Sequence, residues 1–180
     1  MKIVLATFLL SLFYFNLHGQ SNSKISGFLT VQYNKTLYDY APESNPWGIG
    51  LNFQSFLNTN SKFKPTLDIS ADFYFINEVS EALLIPPPLQ DALPRDSSID
   101  YVIGVLAGYS YQFTDRFFAT ILGGMNLIDG KYYPGMKASI KYHFSTDQKF
   151  IVGVSFSNVF NRINKQDFGS VTLSLGRRIF

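Results

Sequence analysis

Residues 100–127 constrain the fold most, because they contain two long runs in which apolar residues alternate with small or polar ones. One face of the first run carries Tyr101, Ile103, Val105, Ala107, Tyr109, Tyr111 and Phe113. Thr114 and Asp115 form a short polar break, after which the alternation resumes and continues to Leu127. Alternation with a period of two on both sides of a short break predicts an antiparallel β-hairpin.

The length of these runs points to a membrane. Each run has roughly 11 to 13 residues, whereas an ordinary strand has about 5 to 6. At about 3.3 Å per residue and a tilt near 40°, such a strand spans roughly 25 to 30 Å. This distance matches the hydrocarbon depth of a bilayer.

The rest of the chain repeats the same unit, which predicts about eight strands. The other alternating segments are residues 25–34, 47–57, 65–76, 135–144, 149–160 and 169–180. The connections after the odd-numbered strands (35–46, 77–99, 128–134 and 161–168) are longer than those after the even-numbered ones. Long extracellular loops and short periplasmic turns are typical of outer-membrane barrels. The fold class is therefore all-β, an antiparallel up-and-down transmembrane β-barrel.

The N-terminus predicts an export signal. Lys2 supplies a positive start, residues 3–15 are apolar, and a more polar stretch ends at Gly19. The apolar run is shorter than the roughly 20 residues of a transmembrane helix. We expect residues 1–19 to be a cleaved signal peptide and residues 20–180 to be the barrel domain, located in a bacterial outer membrane.

Alternation alone does not distinguish a membrane barrel from a soluble, lipocalin-like barrel with an apolar interior. The polar face decides between them, because a water-exposed face should carry many charged residues. Here that face carries mainly Gly, Ser, Thr, Asn and Gln, and charged residues make up only 16% of the chain. The apolar face, including Val105 and Ile121, is therefore expected to face lipid, and Gly104 and Gly124 to point inward.

Aromatic residues make up 17% of the chain, and many lie near predicted strand ends. Membrane interfaces favour two such belts. The belt expected on the long-loop side comprises Trp47, Tyr101, Tyr132, Tyr133, Phe160 and Phe168. The belt expected on the short-turn side comprises Phe113, Phe117, Tyr142, Phe144, Phe150 and Phe180.

Residues 25–180 resemble the small bacterial outer-membrane β-barrel proteins, the OmpA-like eight-stranded group. The resemblance rests on the strand pattern, the loop asymmetry and the terminal Phe180. The resemblance implies that the terminal aromatic strand is recognised by the barrel-insertion machinery. In this chain Phe180 lies on the polar phase, with Arg178 and Gly176, whereas Leu173, Leu175 and Ile179 carry the apolar phase. A bulge near Gly176, or a final residue outside the ladder, would reconcile the position of Phe180 with the apolar phase of the strand.

His143, Phe144 and Ser145 resemble the His-x-Ser pair of the outer-membrane lipid A deacylases. That chemistry needs His143 as a base for Ser145 and a carboxylate that orients the imidazole. The predicted topology places both residues at a periplasmic turn, away from lipid A, and Glu81 is the last glutamate of the chain. We therefore favour an interfacial histidine beside a turn serine, and a protein that is not an enzyme.

Five charged residues lie on the inward phase: Asp68, Asp72, Lys137, Lys141 and Arg178. They could form a selectivity ring in a pore. We favour a charge-paired plug, because side chains just fill the interior of an eight-stranded barrel and buried charges need partners. Counting residues from the strand ends predicts that Asp68 pairs with Lys141 and Arg178 near the periplasmic end, and that Asp72 reaches Lys137.

Composition excludes several other functions. The net charge of +2 does not favour a nucleic-acid partner. Without cysteine and with two histidines, the chain predicts no metal site and no cofactor. We expect a structural, adhesive or complex-forming outer-membrane protein that contacts lipid and binds a protein partner through its extracellular loops, first among them the loop of Pro86, Pro87 and Pro88. A small passive pore is the alternative, and a lipid-modifying enzyme the third hypothesis.

Overall fold

The computed structural model describes residues 25–38, 47–75, 101–128, 130–144, 149–160 and 167–180. They form eight strands: β1 (Ile25–Tyr38), β2 (Trp47–Leu57), β3 (Phe63–Phe75), β4 (Tyr101–Gln112), β5 (Phe117–Ile128), β6 (Lys131–His143), β7 (Phe150–Val159) and β8 (Phe168–Arg178). Within these ranges there is no helix long and apolar enough to cross a membrane. The signal peptide expected at residues 1–19 lies outside the described part of the chain.

The strands close into a barrel in sequence order. Each strand pairs antiparallel with its neighbour in sequence, and β8 returns to pair with β1. Thr30 shows the closure, because it opposes Asn52 of β2 on one side and Gly176 of β8 on the other. Closure satisfies the backbone hydrogen bonds of both edge strands, which is the condition for β structure in lipid.

The two faces of the sheet differ as the alternation predicts. Along β2 the residues alternate regularly between exposed and buried, with Asn52 and Gln54 completely buried on the inner face. On the outer face Val105 is 51% exposed and Ile121 is 65% exposed. Gly104 is buried on the inner face. The barrel thus has an apolar exterior and a largely polar interior.

The strands end in two sets of connections, which define two ends of the barrel. The short-turn end carries residues 58–62, 113–116 and 144–149, together with Ile25 and Phe180. The loop end carries residues 39–46, 76–100, 129–130 and 160–167. Three of the four connections at the loop end are longer than any at the short-turn end.

The fifth connection is the exception, and the loop predicted at residues 128–134 was wrong. β5 continues to Ile128 and β6 begins at Lys131, so only residues 129–130 join them. Gly130 has a φ of 74°, and Asp-Gly is a preferred sequence for a two-residue hairpin turn. β1 and β3 are also longer than predicted, since they extend to Tyr38 and begin at Phe63.

Pro134 explains why the sequence suggested a loop there, because proline lacks the N–H that a ladder needs. In the structure Pro134 lies within β6 and opposes Met125. Its carbonyl accepts a hydrogen bond from the N–H of Phe160 (2.9 Å). The β6–β7 ladder ends one residue further on, at Gly135 and Val159, so the nitrogen of Pro134 faces the end of that ladder.

A bulge after Arg178 moves Phe180 from the inward phase of β8 to the outer face of the barrel. The N–H of Ile179 donates to the carbonyl of Gly27 (2.8 Å), and the N–H of Gly27 donates to the carbonyl of Phe180 (3.0 Å). Two residues therefore oppose one, which is the pattern of a β-bulge. The ring of Phe180 lies over Gly27, while Gly176, where a bulge was one option, pairs regularly.

Candidate functional site

The lumen is the candidate site, and side chains fill it in three layers. At the loop end five buried residues form an apolar cluster, and Tyr133 packs against it. The members of this upper cluster are Tyr74, Val102, Ile128, Val159 and Phe168. The rings of Tyr74 and Phe168 meet edge to face with centroids 5.5 Å apart.

Two residues of the predicted outer belt, Tyr133 and Phe168, therefore lie on the inner side of the barrel. Tyr133 shares the inward phase of Gly135 and Lys137. The sequence predicts a loop across Pro134, so alternation alone does not assign Tyr133 to the inward phase. Phe168 is the first residue of β8 and only 1% exposed. For these two aromatics the predicted belt position was wrong.

The middle layer is ionic. Lys137 Nζ lies 3.0 Å from Asp68 Oδ1, and both side chains are almost completely buried. Lys141, 2% exposed, donates to the Oε1 atom of Gln54, which is also fully buried. Asp68 and Lys137 lie near the middle of β3 and β6, so this layer closes the lumen at mid-barrel.

Asp72 takes part in a second set of polar contacts above this layer. Its Oδ1 accepts a hydrogen bond from Asn34 Nδ2 (2.7 Å), and Asn34 Oδ1 accepts one from Thr172 Oγ1 (2.6 Å). This chain of contacts links β8, β1 and β3 across the lumen. A small cavity of about 20 Å³ beside Asp72 and Lys137 has room for a single water molecule.

The structure brings together four of the five predicted lumen charges, but it changes their pairing. Lys137 contacts Asp68 and not Asp72, and Lys141 contacts a neutral amide. The charge pairs were expected near the periplasmic end, but Asp68 and Lys137 meet at mid-barrel. Strands of a closed barrel tilt and are staggered, so residues at equal distances from the strand ends do not share a depth.

A second apolar cluster fills the lumen near the short-turn end. It consists of Phe28, Phe56, Phe118 and Ile151, and its aromatic rings meet edge to face with centroids 5.3 and 5.7 Å apart. The imidazole of His143 lies against Phe28 and Phe118, with centroids at 5.2 and 5.4 Å. His143 is thus an inward-facing residue in an aromatic setting. Ser145, its proposed catalytic partner, lies outside the described residues.

Arg178 does not join the ionic layer. Its Nη2 donates to Ser26 Oγ (2.9 Å) and its Nε donates to the carbonyl of Phe180 (3.0 Å). Together with Lys64, His143 and Asp115 it lines a cavity of about 120 Å³ at the short-turn end, which we term the short-turn recess.

The remaining aromatics of the predicted belts follow the outer surface. Trp47 is exposed and stacks on Tyr33 with centroids 6.0 Å apart. Tyr132, Phe113, Phe117, Tyr142, Phe144 and Phe150 are exposed, whereas Tyr101, Phe160 and Phe180 are half-buried. Phe63 and Tyr111, which were not among the predicted belt residues, extend the short-turn belt through ring contacts at 4.8 and 4.9 Å. Both residues lie on the outward phase of their strands, β3 and β4, and this phase could have predicted their place in the belt.

Each of the three layers consists of buried side chains that point into the part of the lumen that the structure describes. Within the same residues, no group of three or more His, Cys, Asp or Glu side chains is arranged to hold a metal ion. With Asp72 above the middle layer counted in, the lumen carries two acidic and two basic side chains at these depths, Asp68 and Asp72 against Lys137 and Lys141. This arrangement fits a rigid plug better than a binding or catalytic cavity.

No protein-family model and no curated protein matches the sequence. Solved structures of small barrels do match. Ail, the attachment invasion locus protein of Yersinia pestis, has a TM-score of 0.57 in its complex with the heparin analogue sucrose octasulfate. The identity is 14%, over 87% of this chain and 99% of Ail. The structure of the outer membrane protein Ail in a phospholipid bilayer nanodisc has a TM-score of 0.55. The identity is 14%, over 85% of this chain and 98% of Ail.

Neisserial surface protein A gives a TM-score of 0.53 at 13% identity, over 87% of this chain and 96% of that protein. At such identities the likeness concerns the fold. The chain has the fold of small eight-stranded outer-membrane β-barrels, as predicted from the sequence.

Proposed function

We propose that this chain is a bacterial outer-membrane barrel that acts through its longer connections, as an adhesive or complex-forming component, and not through its lumen. The observation that carries the proposal is the closed middle layer, in which Asp68, Lys141 and Gln54 are at most 2% exposed. A lumen packed to this degree leaves the loops as the surfaces available for a partner. The signal peptide expected at residues 1–19 and the apolar exterior support the location.

The charges of the loop-end connections favour a protein partner with a neutral or basic surface. Residues 39–46 and 76–100 contain seven acidic side chains (Asp39, Glu43, Glu78, Glu81, Asp91, Asp96 and Asp100) and one basic one, Arg95. Ail was crystallised with a polyanion, sucrose octasulfate. Repulsion between like charges disfavours such a ligand on these two connections.

Orientation is tested first, because the proposal needs the loop end outside the cell. The chain has no cysteine, so a single introduced thiol is the only reporter. We expect a membrane-impermeant maleimide to label Asp91→Cys on intact cells. The matched variant Ser61→Cys, in the turn before β3, should be labelled only after the envelope is opened. The reverse labelling pattern would refute the orientation.

The role of the longest connection is tested by replacing residues 78–98 with a short Gly-Ser linker, a change that exposed loops tolerate. The barrel should still fold, and surface crosslinking on intact cells should lose the adducts that wild type forms with neighbouring proteins. A variant with neutral replacements of Arg162 and Lys165, in another loop-end connection, is the control. Retention of every adduct by the linker variant would contradict the proposal.

A further inference from the structure

The short-turn recess lies below the lower aromatic cluster, at the end of the lumen. Phe28 and Phe118 form its inner wall and separate it from the ionic layer. Lys64 and Arg178 interact electrostatically there, and Asp115 is the acidic side chain of the lining. Two basic side chains thus converge on one recess, with one carboxylate to offset them.

The whole short-turn end shares this basic character. Among the described residues of its turns and adjoining strand ends there are six basic side chains: Lys62, Lys64, Arg116, Lys149, Arg177 and Arg178. Asp115 is the acidic one in the same set. The loop-end connections have the opposite balance. An anion approaching the barrel would therefore be drawn to the short-turn end.

Arg178 is held in a fixed orientation. Its Nε and Nη2 atoms donate to Phe180 and Ser26, and Ser26 Oγ in turn accepts from Asn58 Nδ2 (2.9 Å). A guanidinium carries five N–H groups, so three are not used in these two bonds. A guanidinium held in place with free donors is well suited to bind two oxygens of one anion.

His143 supplies a second, independent observation. It is 7% exposed and lines the recess. Its Nδ1 meets no partner that satisfies strict hydrogen-bond geometry among the described residues, although the backbone of Phe150 lies close enough to form a hydrogen bond with the ring. A buried polar atom normally has a partner, so Nδ1 is a candidate contact for a group bound in the recess.

From these contacts we propose that the short-turn recess binds a single oxyanion group, a carboxylate or a phosphate, between Lys64 and Arg178, with His143 beside it. A cavity needs roughly 10 to 15 Å³ to hold one water, so about 120 Å³ accommodates one such group and a few waters. The aromatic wall keeps the anion at the barrel end. The anion can arrive as a free ion or as the phosphate of a phospholipid head group.

The test uses the folded full-length barrel in maltoside micelles, which contain no phosphate. Inorganic phosphate and acetate are titrated separately at constant ionic strength with chloride, and backbone amide shifts are followed by NMR. We expect saturable shifts at Lys64, Gln112 and Arg178 with at least one of the two anions. Absence of saturable shifts with both would overturn the proposal.

Three lysine variants locate the site. Lys64→Gln should weaken binding about tenfold or more, because a hydrogen bond to a charged group is lost, whereas Lys64→Arg should retain binding. Lys62→Gln removes the same charge two residues away, outside the recess, and should leave the affinity unchanged. An equal loss in Lys62→Gln and Lys64→Gln would show unspecific attraction and refute the site.

The same titration in phospholipid nanodiscs separates the two sources of the anion. If head groups fill the recess, the shifts are already present before phosphate is added, and they disappear in Lys64→Gln. If the anion is a free ion, the titration in nanodiscs repeats the result in micelles. Either outcome supports the site and identifies its occupant.

Discussion

The carboxylate of Asp68 on β3 and the ammonium group of Lys137 on β6 meet 3.0 Å apart in the middle of the barrel. Asp68 Oδ2 has no hydrogen-bond partner among the described residues. Lys137 is therefore the direct partner of a fully buried carboxylate. Lys141, four residues further along β6, donates its hydrogen bond to the neutral amide of Gln54 and interacts with Asp68 only at longer range, within the described residues. The two lysines of one strand thus have different roles, although they share phase and burial.

Replacement of Lys137 by methionine should destabilise the barrel much more than the same replacement at Lys141. Lys137→Met leaves Asp68 buried without its counter-ion, which costs about 3 to 5 kcal/mol when the site is dry. Lys141→Met leaves an amide oxygen without a donor, which costs about 1 to 3 kcal/mol. It also removes both the repulsion from Lys137 and the opposing attraction to Asp68. Urea unfolding in lipid vesicles measures both, and the double variant Asp68→Asn, Lys137→Met should recover part of the loss. Equal costs for the two lysines would contradict the assigned pairing.

An arginine on the outer face should be costly in proportion to its depth in the bilayer. Val105 lies near the middle of β4 and is 51% exposed, so Val105→Arg should cost about 2 to 4 kcal/mol in vesicles. Phe113→Arg, at the short-turn end of the same run, should cost only about 0 to 1 kcal/mol. The comparison measures the position of the hydrocarbon. Similar penalties at the two positions would argue against a membrane-facing β4.

Two adjacent glycines of β5 should differ in their tolerance of a methyl group. A Cβ on Gly124 would lie 2.3 Å from the carbonyl oxygen of Val105 and 2.9 Å from the Cα of Leu106, both backbone atoms of β4. Gly124→Ala should therefore destabilise by about 1 to 3 kcal/mol. A Cβ on Gly123 meets nothing closer than 3.9 Å, so Gly123→Ala should be neutral or slightly stabilising. Thermal and urea unfolding of the two variants would check this close approach of the strands.

The sequence allowed the number, order and faces of the strands to be predicted, because each depends on local alternation. Alternation in β2, β4 and β5 survives unchanged in the structure. The turn at residues 129–130 could also have been predicted from its Asp-Gly sequence. Pro134 favoured a loop instead. A strand tolerates a proline at this position only because the neighbouring strand β7 ends beside it, and the sequence does not show where β7 ends.

The contacts inside the lumen could not be predicted in the same way. They depend on the stagger between strands, which is a property of the closed barrel and not of any one segment. Stagger explains why Asp68 meets Lys137, and why Arg178 belongs to the short-turn recess. Sequence phase indicated that these side chains point inward, but not which of them meet.

The last prediction concerns conduction, which separates a plug from a pore. The lumen is closed at three levels: by Tyr74 and Phe168 in the upper cluster, by the ionic layer, and by Phe28, Phe56 and Phe118 in the lower cluster. Wild type should therefore show no steady single-channel current in planar bilayers. The variant Asp68→Ala, Lys137→Ala should also remain silent, because the two apolar clusters still close the lumen on either side. A steady, ion-selective current in wild type that is lost in this variant would refute the plug, since only a conducting lumen lined by these charges behaves in that way.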